Sequence, residues 1–225
     1  MKIALLGYGK MGRTIEQLAT EAGDRIVLRV DEHNRASVTA ADLRGAEVAI
    51  DFSRPDAAVD NIHLCLSAGV PVVVGTTGWL DELPRVSEEV EKAAGALFWA
   101  SNFSIGVNIF FATARELARR LRDEPYTASI VETHHTEKLD APSGTAITLA
   151  EGVGEELHRR IAIESRREPD VPGTHLLRFR SAIDTLELGH TAHSREGFAR
   201  GALAAARWLP GRRGVFTMTD LLGSE

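Results

Sequence analysis

Short, mainly apolar runs occupy positions 3–6, 26–30, 48–52, 70–74 and 97–100, and segments of helical periodicity at 11–22, 55–68 and 81–94 separate several of them. Strands that are apolar throughout, rather than alternating, belong to a parallel sheet covered on both faces. The first hundred residues therefore predict an α/β, doubly wound, Rossmann-like parallel sheet. The pattern then changes. Positions 105–121 carry one helical stripe of Val107, Phe110, Phe111, Ala114, Leu117, Ala118 and Leu121. A strand over 126–133 and a helix over 143–161 follow. After a turn-rich connection at 169–174, alternating residues predict two antiparallel strands, 175–181 and 185–192, with a turn near Ile183 and Asp184. A helix over 196–208 and a short strand over 214–218 close the chain. The expected division is a dinucleotide domain of 1–103 and 196–225, with an α+β domain inserted at 104–195.

Composition narrows the classes. The 225 residues carry a formal net charge of -6, a poor balance for sequence-independent nucleic-acid binding. No apolar run reaches the roughly 18 residues of a membrane span. The one cysteine, Cys65, lies in an apolar helical run and reads as a buried, inert thiol. With no leader-like segment ahead of the first strand, the expected compartment is the cytoplasm.

Gly7, Tyr8, Gly9, Lys10, Met11 and Gly12 fit G-x-G-x-x-G between a strand and a helix, the context that a dinucleotide site requires. The first glycine permits the turn, the second lets the pyrophosphate approach, and the third lets helix and strand pack. Asp31 closes the second strand, where a carboxylate can bind the ribose hydroxyls. Glu32 beside it would repel a 2′-phosphate, so NADH is expected over NADPH, although His33 and Arg35 soften that preference. Two further loops, with Gly75, Thr76 and Thr77 and with Ala100, Ser101, Asn102 and Phe103, follow strands at the carboxyl ends of the parallel sheet, where ligands bind.

The densest chemistry lies in 132–145, E-T-H-H-T-E-K-L-D-A-P-S-G-T. His134 and His135 suit proton transfer near neutral pH, and Lys138 suits a carboxylate or a proton donation. On a regular strand the two imidazoles point to opposite sides; in a loop both can line a pocket. Pro142 suits a first helical turn, and Ser143, Gly144 and Thr145 then present backbone N–H groups to an anion. No zinc-protease spacing accompanies the histidines and no cysteine is near, so no metal is expected. Taken alone, these residues leave open another NAD-dependent imino-acid or amino-acid dehydrogenase, or a non-enzymatic NAD(H)-sensing module.

The stretch closely resembles the signature of the 4-hydroxy-tetrahydrodipicolinate reductase (dihydrodipicolinate reductase) family. The segments 7–12, 75–78, 101–106, 171–175 and 190–195 match that family in order, so the resemblance covers nearly the whole chain. It implies an NAD(P)H-dependent oxidoreductase of lysine biosynthesis by the diaminopimelate route, reducing a cyclic dicarboxylate to tetrahydrodipicolinate. It implies His134 as general acid/base and Lys138 as proton donor and carboxylate partner. His135, Ser143, Gly144, Thr145 and Arg195 are implied to bind substrate, the inserted domain to serve substrate binding and oligomerisation, and the assembly to be a homotetramer. Two departures stand out: the chain is short between its second and third strands, and Glu32 replaces an arginine that some members use for NADPH.

Overall fold

The apolar runs of the N-terminal half become the strands of a parallel sheet. In the computed structural model, which describes residues 1–194 and 196–223, these are β1 (Lys2–Leu6), β2 (Arg25–Val30), β3 (Val48–Asp51), β4 (Val72–Val74) and β5 (Ala96–Trp99). Helices α1 (Lys10–Glu21), α2 (Ala40–Leu43), α3 (Pro55–Ala68) and α4 (Leu83–Lys92) alternate with them. Late in the chain, β10 (Gly214–Phe216) joins the same sheet, giving the order β10-β5-β4-β3-β1-β2 with every pairing parallel. The chain reverses its direction of travel at β1, so the crevice beyond β1 and β3 is the topological switch point. Leu6, Val30, Val72 and Val74 form one core with Ile62, Cys65, Val86 and Val90. Each large aliphatic side chain buried there contributes about 1.5–3 kcal/mol relative to exposure. Cys65 is fully buried, and burial pushes its thiol pKa up, as suits an inert thiol.

The second half builds a separate sheet. Helix α5 (Ile105–Arg120) precedes β6 (Thr127–His134), α6 (Gly144–Leu157), β7 (Ala162–Arg167), β8 (Thr174–Arg180) and β9 (Thr185–Thr191). The strand order is β7-β6-β8-β9, with β6 parallel to β7 and antiparallel to β8. Phe110 and Ala114 of α5 and Leu149 and Val153 of α6 pack on Ile130, Leu177 and Phe179. Side chains alternate across a strand, so Ile130, Glu132 and His134 share the buried face of β6. Helices α7 (Glu196–Trp208) and α8 (Met218–Leu222) complete the fold. The chain divides into one compact unit of Met1–Ser104 with the segment from Phe198 onward, and another of Ile105–Gly197.

Three expectations are corrected. The helix over 143–161 stops at Leu157, where His158 takes a left-handed conformation, and β7 follows it. That strand is A-I-E-S-R-R with alternately exposed residues, so it offers no apolar run to read. Pro142 lies before the N-cap residue Ser143, not in the first turn. The final strand ends at Phe216 because Thr217 caps α8 through a reciprocal pair with Asp220.

Candidate active site

At the end of β1 the chain turns sharply at Gly7, with φ of 97°, against the start of the loop after β3. A Cβ on Gly7 would lie 2.2 Å from the Phe52 carbonyl oxygen, and one on Gly12 would lie 2.4 Å from the Gly7 carbonyl oxygen. The turn therefore closes only on hydrogen side chains. Gly9 is the N-cap of α1 and supplies no side-chain acceptor. The first helical bond runs from Arg13 N–H to the Gly9 carbonyl, so the N–H groups of Lys10, Met11 and Gly12 lie beyond intrahelical reach. Lys10 is exposed, and Tyr8 is tied to Glu16 through its hydroxyl with Arg13 and Arg29 over its ring.

Asp31 follows β2 and is held by a tight local turn. Its Oδ1 accepts the N–H groups of His33 at 2.9 Å and Asn34 at 3.2 Å. Glu32 and His33 are exposed, 3.8 Å apart, and the Arg35 guanidinium is committed to Asn61 Oδ1. These residues fit a dinucleotide: a turn closed on glycines, an uncapped helix start and a fixed carboxylate.

The other two loops divide. Thr77 and Ser101 are exposed, Gly75 and Asn102 half-buried, and Ala100 largely buried. The Thr76 hydroxyl instead donates to buried Asp51 at 2.5 Å, and its carbonyl accepts the Trp79 indole N–H at 2.8 Å. Phe103 is 2% exposed and its ring packs against Phe52 and Phe98. The side chains of Thr76 and Phe103 thus shape the loops from beneath rather than lining them. Burial drives the Asp51 carboxyl pKa up, against the hydrogen bonds from Thr76, Asn61 and Ser53.

In the second unit, His134 ends β6 and is 7% exposed, whereas His135 lies just beyond the strand and is half-buried. Glu132, with no exposure, sits on the same strand face. Its Oε1 accepts the Ser143 N–H at 3.0 Å and the Ser165 hydroxyl at 2.7 Å. Burial alone would raise its pKa, but Ser143 and Ser165 outweigh burial and hold the carboxyl below the ordinary value. His175, on β8 directly opposite Glu132, meets the His134 ring edge-on at 5.1 Å and shares a 3.2 Å hydrogen bond with Ser143 Oγ. Lys138 is clasped by both oxygens of Asp140, at 2.8 and 2.9 Å. Arg167 of β7 pins that loop by donating to the carbonyls of Lys138 at 3.3 Å and Asp140 at 2.6 Å.

One expectation about the anion cradle changes. The Ser143 N–H is taken by Glu132, and its Oγ accepts the Ala146 N–H at 3.2 Å as the N-cap of α6. Ser143 is therefore spent on structure. Gly144, exposed, and Thr145, half-buried, keep the first-turn N–H groups that no intrahelical carbonyl can meet. Arg195 lies outside the described residues. Sequence reasoning missed Glu132, His175, Arg167 and Ser165. The i, i+2 spacing of Glu132 and His134 on a strand was the available signal; the others needed the strand register.

A metal was not expected from the motif spacing, yet the donor atoms of Glu132, His134 and His175 lie within 4.8 Å of one another. That grouping arises only when β8 brings His175 beside β6.

Burial, and secondarily the neighbouring His134, push the His175 pKa down from 6.5 to about 4. The unfolded chain therefore takes up this proton first. Stability is fully present above about pH 6.5, falls as the pH drops towards 4, and loses nothing further from this group below that; the loss amounts to roughly 3 kcal/mol. Burial also lowers the pKa values of His134 and His190, in the same sense. Urea midpoints at pH 7.5 and 4.5 should show a smaller acid loss in His175→Gln than in the wild type; equal losses would contradict this assignment.

The family profile described as "Dihydrodipicolinate reductase, N-terminus" matches residues 1–103, and "Dihydrodipicolinate reductase, C-terminus" matches 106–222. The chain is 45% identical to the 4-hydroxy-tetrahydrodipicolinate reductase of Christiangramia forsetii, over 99% of this chain and 98% of that protein. It is 39% identical to that of Chromobacterium violaceum, over 81% and 76%. A dipicolinate-bound dihydrodipicolinate reductase from Paenisporosarcina sp. TG-14 shares its fold at a TM-score of 0.84 and 22% identity, covering 98% of each chain. Both halves of the family profile match in sequence order, and a relative nearly half identical spans the whole length, so this chain belongs to the dihydrodipicolinate reductase family.

Proposed function

We propose that this protein reduces 4-hydroxy-tetrahydrodipicolinate, or its dehydrated form dihydrodipicolinate, to tetrahydrodipicolinate with NAD(P)H in the diaminopimelate route of lysine biosynthesis. The observation that carries this reading is the placement of His134, Lys138 and the start of α6 around one strand end, in a chain of this family. A dicarboxylate needs cations and N–H donors, and a hydride acceptor needs a proton. Lys138 with the Gly144 and Thr145 N–H groups grips carboxylate, and His135 and Arg195 add to that grip. His134 and Lys138 manage the proton. Burial first, and then Lys138 and Arg167, lower the His134 pKa, while Glu132 opposes them. Substrate carboxylates placed nearby favour the imidazolium and so assist proton donation.

A bound nicotinamide cofactor supplies the hydride. Gly7, Tyr8, Gly9, Lys10, Met11 and Gly12 hold its pyrophosphate, Asp31 holds its ribose, and Gly75, Thr76, Thr77 and Ala100 to Phe103 line the nicotinamide side through their backbone and smaller side chains. The Asp31–Glu32 pair favours NADH over NADPH, because two carboxylates meet a 2′-phosphate. Glu32→Arg should shift the ratio of kcat/KM values towards NADPH by roughly tenfold or more, since a hydrogen bond to a charged group contributes about 1.5–3 kcal/mol. An unchanged ratio would remove Glu32 from cofactor choice.

The same reading makes the protein a cytoplasmic enzyme, and no helix among the described residues is long and apolar enough to cross a membrane. The Ile105–Gly197 unit carries substrate and, through the open face of its sheet near Arg178 and Glu187, assembly into a homotetramer. Light scattering of the purified protein tests the assembly: a monomer's mass would contradict it. The biological role is tested by complementation. Expression should restore growth without diaminopimelate to a bacterium lacking its own reductase; continued auxotrophy with abundant folded protein would refute it.

A further inference from the structure

We propose that Glu132 is a positioning residue for His134, holding its Nδ1–H so that Nε2 is the nitrogen that exchanges the proton with substrate. This rests on the assignment of proton transfer to His134.

Three observations converge. The Oε2 atom of Glu132 lies 3.3 Å from His134 Nδ1 and 3.8 Å from His175 Nε2, so His134 is its nearest histidine donor. Oε2 and Nδ1 are both buried and make no hydrogen bond among the described residues. Leaving a buried carboxylate oxygen and a buried N–H unpaired is costly, and a small ring rotation pairs them. The other carboxylate oxygen cannot turn away to serve, because the Ser143 N–H and the Ser165 hydroxyl fix it, with Arg167 Nη1 at 3.7 Å. The carboxylate is thus clamped from one side and presents one free oxygen to the imidazole.

The opposite ring nitrogen has a different setting. A Cβ on Gly173 would lie 3.0 Å from His134 Nε2 and 3.2 Å from Cδ2. Glycine in the 171–175 segment therefore leaves room beside Nε2. His175 supports the same geometry. Its ring packs edge-on against His134, its titration near pH 4 keeps it neutral at pH 7, and Ser143 Oγ occupies its Nε2. The charged and titratable groups facing His134 are Glu132 on its own strand, Lys138 and Asp140 in the following loop, Arg167 on β7 and His175 on β8. Of these, Glu132 is the carboxylate within about one hydrogen-bond length of the ring. The arrangement is the histidine–carboxylate pairing by which a second residue sets tautomer and orientation.

The test pairs kinetics with nitrogen NMR of 15N-histidine-labelled enzyme, with His134 identified by its loss in His134→Gln. In the wild type at pH 8, His134 should show a protonated Nδ1 and an unprotonated Nε2. The reverse tautomer overturns the proposal whether or not any variant folds. In Glu132→Gln, kcat should fall roughly ten- to a hundredfold, with KM within about threefold and NADH affinity unchanged. The kcat limb belonging to His134 should move to lower pH by roughly one unit, because the carboxylate that favours the imidazolium is gone. Glu132→Asp should recover part of the loss. A folded Glu132→Gln with wild-type kcat and pH profile overturns the proposal, and so does a loss of kcat with an unmoved limb. Stoichiometric metal retained through chelation would make these side chains ligands instead and also overturn it. Should His134→Gln itself remain active, the failure belongs to the proposed function and not to Glu132.

Discussion

His134→Gln and Lys138→Ala should each lower kcat by roughly two to four orders of magnitude while leaving NADH affinity within about twofold. Both side chains belong to the Ile105–Gly197 unit, whereas Gly7 to Gly12 and Asp31, the residues proposed to hold the nucleotide, belong to the other, so neither substitution removes a proposed nucleotide contact. Glutamine preserves the polar outline of imidazole but cannot exchange a proton near neutral pH. Lys138→Ala removes the cation proposed for both carboxylate binding and proton transfer, so its KM should rise while that of His134→Gln moves little. Asp140 gives a control, because it clasps Lys138 from outside with its carboxylate exposed. Its removal frees the lysine rather than deleting it, and should cost far less. Steady-state kinetics and fluorescence titration with NADH decide the matter. Wild-type-like turnover in either His134→Gln or Lys138→Ala would refute the assignment.

Gly7→Ala and Gly9→Ala should fail in different ways. Alanine at position 7 must hold φ near 97° and place Cβ 2.2 Å from the Phe52 carbonyl oxygen. Left-handed strain costs about 1–2 kcal/mol and overpacking about 1–3 kcal/mol, so the turn shifts, stability falls by roughly 2–5 kcal/mol, and cofactor binding goes with it. At Gly9 the added Cβ meets nothing within 4 Å, and φ of -85° is ordinary for alanine. Stability should therefore change by less than about 1 kcal/mol, the scale of an N-cap substitution. NADH affinity should still fall at least about tenfold, because the methyl group occupies the side from which the pyrophosphate approaches. Denaturation midpoints with NADH titrations separate the two effects. Unchanged affinity in folded Gly9→Ala would contradict the placement of the pyrophosphate.

The sequence was most legible where one physical signal acted alone. Apart from Lys2 and Asp51 at their ends, strands β1, β3 and β4 carry apolar, buried side chains on both faces, so their runs read clearly and their neighbours are parallel. The glycine turn was legible because its constraint is local. Strand β7 was not, because its half-exposed alternation of charged and small residues continues a helical segment without an apolar break. Missing β7 hid Arg167 and Ser165, which lie across from His134 and Glu132 in the parallel register. The role of His175 was hidden for a different reason: its strand was legible, but it faces Glu132 only through the β6–β8 pairing. Ser143 was misread in part because a helix start offers free N–H groups by default, and the buried Glu132 that claims one of them is itself placed by tertiary packing.

As a member of this family, the chain reduces a cyclic dicarboxylate made from aspartate semialdehyde and pyruvate. The most direct measurement follows NADH absorbance while that condensation product is generated in situ. NADH oxidation should require both precursors and the condensing enzyme, and should disappear in His134→Gln. Oxidation supported by an ordinary keto acid with ammonia, and not by the condensation product, would contradict it.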